Sequence, residues 1–193
     1  MEQKEERKHY YFFEGKKINL RGIEKEDYTE RMYKWANDPE FNRYLSHGLK
    51  PATIATMEKL YEDLINKENV IFAIVDKKTK ITVGVIGLHH FNWQIISAEF
   101  TIHIGEKEFW GSGAASEATD FIVKYAFETL NLNKIWLGVN EANVRAVKFY
   151  EKKGFVNEGK LRAEIFRENK YFNSIIMSIL RKEYESRKHQ NHG

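Results

Sequence analysis

The stretch from Ile96 to Thr129, ISAEFTIHIGEKEFWGSGAASEATDFIVKYAFET, constrains the fold more than any other, because its apolar period changes partway along. Ile96, Ala98, Phe100, Ile102 and Ile104 alternate with Ser97, Glu99, Thr101 and His103, the period-two pattern of a half-buried strand. The loop Trp110-Gly111-Ser112-Gly113 follows after a brief connection. From Ala115 the small and apolar positions fall at Ala115, Ala118, Ile122, Tyr125, Ala126 and Thr129. Charged residues take Glu117, Asp120, Lys124 and Glu128, so the period is now helical. The first turn of a helix carries amides with no partner and a partial positive charge, and two glycines let a bulky anion approach. The same glycines are also ordinary turn chemistry, so the loop alone leaves both readings open.

The rest of the chain supplies more strands and helices. Lys17 to Ile23 reads as a strand, and Glu24-Lys25-Glu26-Asp27 opens a helix with Tyr28, Met32 and Trp35 at helical spacing, stopped by Asn37-Asp38-Pro39. A turn through Ser46-His47-Gly48 and Pro51 leads to a second helix with Met57, Leu60, Tyr61 and Leu64 on one side. Val70 to Val75 is a buried strand, joined by the polar turn Lys77 to Lys80 to a strand over Ile81 to His90. After the glycine loop and its helix come a strand over Lys134 to Val139, a helix over Asn143 to Lys153 ended by Gly154, and a strand from Phe155. A last pair of strands, about Lys160 to Arg167 and Lys170 to Leu180, meets across Glu168-Asn169. The order is mixed α/β.

With 193 residues the chain suits one domain: a charged extension over 1–9, a single domain over 10–184 and a polar tail over 185–193. The absence of cysteine excludes disulfides, thiolate metal sites and a cysteine nucleophile. No apolar run approaches the roughly 20 residues of a membrane span, and MEQKEERKH lacks the apolar core of a signal peptide. A cytoplasmic protein without a membrane partner is expected. The net charge of +3 arises from basic and acidic residues mixed along the chain, so no basic stripe points to nucleic acid. No metal site is expected, since His89 and His90 are adjacent on a strand and should face opposite sides.

A second informative stretch is VNEANVRAVKFYEKKGF, from Val139 to Phe155. Asn143, Ala146 and Tyr150 stack on one helix face, with Asn143 as a cap and Gly154 as a stop. Taken alone, Tyr150 is a core aromatic. Taken together, Glu108-Phe-Trp-Gly-Ser-Gly-Ala-Ala-Ser-Glu-Ala118 and Asn-x-x-Ala-x-x-x-Tyr-x-x-x-Gly-Phe closely resemble the GNAT family of acetyl-CoA-dependent N-acetyltransferases. The early Asn37-Asp38-Pro39-Glu40 segment and the late hairpin from Glu158 to Tyr171 resemble its branch of ribosomal-protein alanine and spermidine acetyltransferases.

The resemblance implies a mixed α/β fold with a central, mostly antiparallel twisted sheet of about seven strands and about four flanking helices. It implies acetyl-CoA as donor, with Gly111, Ser112, Gly113, Ala114 and Ala115 on the pyrophosphate, and Ile102, His103 and Ile104 pairing with the pantetheine arm like an added strand. Asn143 and Ala146 complete the cofactor side. The basic or glutamine residue common just before the loop is missing, because Glu108-Phe109-Trp110 stands there, so amides should do most of the phosphate work. Lys107 is either a phosphate contact or a solvated lysine. The reaction implied is attack by a neutral primary amine on the thioester, without a covalent enzyme intermediate. Tyr150 protonates the departing thiolate, and Glu99, or His103 in its place, is the base or else a structural ion-pair partner.

The acceptor stays open among a protein N-terminus, a polyamine and an amino sugar. Asp38, Glu40, Glu58, Glu62 and Asp63 are either an acidic wall for a cationic acceptor or a solvated face. The hairpin aromatics Phe166, Tyr171 and Phe172 either form a homodimer contact or pack on their own sheet. The rival function is a non-catalytic acyl-CoA-binding or sensory protein on the same fold.

Overall fold

A computed structural model of the chain describes residues 10–45 and 48–190. The charged extension and part of the expected 46–48 turn lie outside these residues. Eight strands form one sheet in the order β1-β2-β3-β4-β5-β6-β8-β7. They are β1 (Phe13–Glu14), β2 (Ile18–Gly22), β3 (Val70–Asp76), β4 (Thr82–Asn92), β5 (Ser97–Ile104), β6 (Lys134–Asn140), β7 (Val156–Arg167) and β8 (Lys170–Leu180). Every pairing is antiparallel except β5 with β6. The expected mixed α/β, mostly antiparallel architecture is therefore present, with the short β1 as a strand that its two residues gave no periodicity to detect.

Helices cover both faces. A π-helical turn (Asp27–Met32) runs into α1 (Tyr33–Ala36), followed by α2 (Pro39–Asn42) and α3 (Ile54–Ile65). Tyr28, Met32, Trp35 and Met57 pack there against Val85 of β4. On the opposite face lie α4 (Ala114–Lys124), continued by a π-helical turn (Tyr125–Thr129), and α5 (Val144–Lys152). Ala114, Ala118 and Ile122 of α4 join Phe100, Ile135 and Leu137 of the sheet in the main core. The helical spacing of the small α4 residues brings that helix close to the sheet.

Two sequence expectations need correction. Ile96 does not begin the strand: at φ +51° it is partly exposed, and its carbonyl turns to accept from the amides of Asn133 and Lys134. His89 and His90 do not face opposite sides, because a bulge at His90 (φ +47°) swings its ring back, so that His89 meets Thr101 and His90 meets Glu99. Within the polar tail expected from 185, residues up to Gln190 belong to α6 (Arg181–Gln190). That helix is polar on all sides, which hides it from a search for apolar periodicity. Tyr184 anchors it by stacking on Phe127 at 5.0 Å and donating to Glu128 at 2.7 Å.

The β7–β8 hairpin closes across Glu168 and Asn169 with both residues at positive φ, the geometry of a two-residue turn that matches strand twist. Phe166 and Tyr171 pack on each other at 4.9 Å near its tip.

Candidate active site

The parallel β5–β6 pairing holds only from Ser97–Lys134 to Glu99–Trp136. Beyond it both strands continue, to Ile104 and Asn140, without pairing to each other. A slit therefore opens in the middle of the sheet. Its β5 edge, including Ile102, His103 and Ile104, presents backbone groups with no strand partner on that side, which an extended amide-bearing chain can pair with.

The end of β5 leads to the glycine loop. Gly111 (φ +81°) and Gly113 (φ +96°) adopt the left-handed conformation that side chains disfavour, and the amides of Ala114 and Ala115 open α4 just beyond. Ser112 Oγ donates to the Phe109 carbonyl at 2.8 Å and accepts from the Ala114 amide at 3.2 Å, fixing the turn. Glu117, in the first turn of α4, accepts the backbone amides of Lys16, Lys17 and Ile18 at 2.5, 2.8 and 3.1 Å. Burial pushes its carboxyl up, but these bonds outweigh burial and hold it below the usual range. That clamp brings the Lys17 ammonium onto the Ser112 carbonyl.

A second cation reaches the loop from α5. The Arg145 guanidinium lies 6.0 Å from the Trp110 ring centroid, and a Cβ added to Gly111 would sit 3.7 Å from its nitrogen. Sequence reasoning missed Lys17, Glu117 and Arg145. A carboxylate in a first helical turn and a lysine at a strand start are commonplace, and only tertiary folding gathers them. Lys107 points elsewhere, paired with Asp38 at 2.8 Å and Glu40 at 2.6 Å.

Asn143 caps α5, its side chain accepting from the Ala146 amide at 3.2 Å. This fixes the face on which Tyr150 stands. The Tyr150 ring packs edge-on against Phe100 at 6.2 Å and against Phe155 at 5.6 Å. Its hydroxyl has no hydrogen bond among the described residues, and burial pushes its pKa up to about 12. A protonated, unspent phenol beside β5 is available as a donor.

Glu99, Thr101 and His103 line the other face of the slit, toward α1 and α2. Glu99 bonds to His90 Nδ1 at 2.7 Å, and Thr101 Oγ1 to His89 Nε2 at 2.8 Å. The neighbour-strand partner of Glu99 is thus a histidine rather than a lysine or arginine. Burial holds the His89 imidazole below its ordinary range against the raising charge of Glu99. His103 packs against Phe41 at 5.9 Å. The acidic residues form no joint wall: Asp38 and Glu40 pair with Lys107, Glu58 pairs with Lys25 at 2.7 Å, and Glu62 and Asp63 are exposed. No group of three metal-ligating side chains occurs among the described residues, and no described helix is long and apolar enough to cross a membrane.

Both the sequence and the fold have known relatives. The profile of the Acetyltransferase (GNAT) domain matches residues 17–156. The spermidine N(1)-acetyltransferase of Vibrio cholerae is 36% identical over 131 residues, covering 68% of this chain and 75% of that protein. The spermidine N(1)-acetyltransferase of Escherichia coli K12 is 30% identical over 86% of this chain and 88% of its own length. The crystal structure of the Vibrio cholerae spermidine N-acetyltransferase with CoA and spermine superposes with a TM-score of 0.79 at 31% identity. The match covers 89% of this chain and 99% of that one.

Proposed function

The chain belongs to the GNAT family and is an acetyl-CoA-dependent N-acetyltransferase, and from that premise we propose that it acetylates a primary amine by direct attack within a ternary complex. The observation that carries this reading is the slit between β5 and β6, with Tyr150 on one face and Glu99 on the other. Pantetheine amides pair with Ile102, His103 and Ile104, and the pyrophosphate rests on Gly111, Ser112, Gly113, Ala114 and Ala115, with Ala146 and Asn143 beside the arm. Lys17 and Arg145 supply the positive charge that the segment before the loop lacks.

The amine approaches from the Glu99 face. Its nitrogen forms a bond to the thioester carbonyl carbon, the carbon–sulfur bond breaks, and the nitrogen's proton passes to Glu99 directly or through water. Tyr150 donates toward the sulfur as negative charge develops there. A phenol at about 12 is a weaker acid than an ordinary thiol near 8.5, so full transfer to a solvated thiolate would be uphill. The same desolvation that raises the phenol also destabilises the thiolate, which narrows that gap inside the slit.

Spermidine, the acceptor in the names of two relatives, heads the panel that tests the reading, followed by an N-terminal peptide and an amino sugar. Free thiol released from acetyl-CoA in step with an acetylated amine is the expected result. Tight acetyl-CoA binding with no release for any amine would leave a non-catalytic binding protein instead.

A further inference from the structure

Pairing of β5 with β6 stops at Glu99 and Trp136, so the Glu99 carboxylate stands where the two strands part. The glutamate side chain is long, rotates freely when unrestrained, and is here 24% exposed. A base at this place needs a partner that holds it in one orientation.

An irregularity in β4 supplies that partner. His89 stands opposite Glu99 and Asn92 opposite Ser97, so His90 and Phe91 together face Ala98 alone. Regular alternation would turn His90 to the face of Ala98, which lies in the main core. Instead His90 takes φ +47°, and its ring swings to the other face, with Nδ1 2.7 Å from Glu99 Oε2. Bulges beside active sites re-aim side chains in this way, and a non-glycine residue held in a disfavoured conformation there points to a role in the site.

The two ends of the bond are chemically distinct. A carboxylate only accepts, so the imidazole donates from Nδ1. The His90 side chain is 79% exposed, and its Nε2 has no hydrogen bond among the described residues, so solvent satisfies it. On Glu99, Oε2 is taken and Oε1 has no hydrogen bond among the described residues. One carboxylate oxygen is anchored and the other is left for the amine. A pair this exposed contributes little to stability, so its main consequence is orientation.

Resting on the acetyl-transfer reading above, in which Glu99 is the base, we propose that His90 is the positioning residue for Glu99. Its Nδ1–H holds Oε2, so that Oε1 stays aimed at the slit and takes the amine proton directly or through one water. His90 acts through Glu99 alone.

The test compares single-turnover acetyl transfer by the parent, His90→Gly, His90→Asn, Glu99→Gln and the double variant Glu99→Gln/His90→Gly. Spermidine, an N-terminal peptide and an amino sugar serve as acceptors. Glycine takes the left-handed backbone without strain, so the melting temperature of His90→Gly should hold while the donor is lost. Asparagine also tolerates positive φ, and its side-chain NH2 lies as many bonds from the backbone as Nδ1. His90→Gly should slow transfer by about tenfold with acetyl-CoA affinity unchanged, and His90→Asn should recover to within about threefold of the parent. Glu99→Gln should lose about 10²-fold, with no further loss when His90→Gly is added to it. A slow Glu99→Gln beside a parent-like His90→Gly overturns the positioning role and leaves the transfer reading standing. So does an equal loss from His90→Gly in both backgrounds, or a His90→Asn as slow as His90→Gly. A parent-like rate in Glu99→Gln overturns the base assignment and the positioning role with it. No transfer by the parent to any of the three amines overturns the transfer reading itself.

Discussion

Replacing Gly105 with alanine should unsettle the acceptor face through one close contact. Gly105 follows β5 directly, and its amide donates to the Val83 carbonyl at 2.9 Å. A Cβ at this position would fall inside the van der Waals surface of the Trp35 indole, against Cδ2, Cε2 and Cε3. That indole is 2% exposed, walled by Phe41 at 6.2 Å, and donates to Glu106 at 3.1 Å, so it has no open side to retreat to. Overpacking of this kind costs about 1–3 kcal/mol, and a hydrogen bond to a charged acceptor adds about 1.5–3 kcal/mol if displaced. Taking about 3 kcal/mol, and about 2–4 °C per kcal/mol for a chain of this length, the melting temperature should fall by about 6–12 °C. Gly22→Ala is the control, because nothing lies within 4 Å of its added Cβ. It should stay within about 0.5 kcal/mol of the parent. Calorimetry measures both, and KM for the amine should rise in Gly105→Ala while acetyl-CoA affinity holds. Equal melting temperatures for the two variants would refute the contact reasoning.

Arg145→Ala should raise KM for acetyl-CoA by about fivefold to tenfold, the equivalent of about 1–1.4 kcal/mol, with kcat unchanged in steady-state assays. Asp27→Asn strips the charge from a buried bidentate pair, Arg21 to Asp27 at 2.7 and 2.9 Å, and should cost about 3–5 kcal/mol in urea unfolding. Burial pushes the Glu106 carboxyl up, but the bond from Trp35 and the neighbouring Lys34 and Arg31 outweigh burial and hold it below the usual range. Its folded pKa is thus depressed, so its contribution is present above the unfolded carboxylate value and lost as pH falls through the folded one. Glu106→Gln should therefore flatten the acid limb of stability below the unfolded carboxylate value of about 4.3.

The geometry of the candidate donor side was legible because it is local in sequence. The β5 alternation, the glycine loop, the α4 period and the Asn143–Tyr150 face each sit within one short stretch, and backbone geometry alone dictates their form. The far end of the slit is assembled from distant parts. Asn140 meets Arg43 and Arg167 only because β6 lies beside β8 and the hairpin folds back toward α2. The bulge that turns His90 toward Glu99 carried no glycine or proline to announce it. The paired state of Asp38 and Glu40 likewise depends on Lys107, 67 residues after Glu40 in the chain.

Single-turnover acetyl transfer by Tyr150→Phe reads whether Tyr150 assists departure of the thiol from coenzyme A. The substitution keeps the ring contacts with Phe100 and Phe155 and deletes the unpaired hydroxyl. The chemical step should slow by about 10²-fold or more, with acetyl-CoA affinity intact. With a phenol at about 12, the parent should show no alkaline loss of rate from this group below about pH 10. An unchanged single-turnover rate in Tyr150→Phe would rule out proton donation by this phenol and return Tyr150 to the role of a core aromatic.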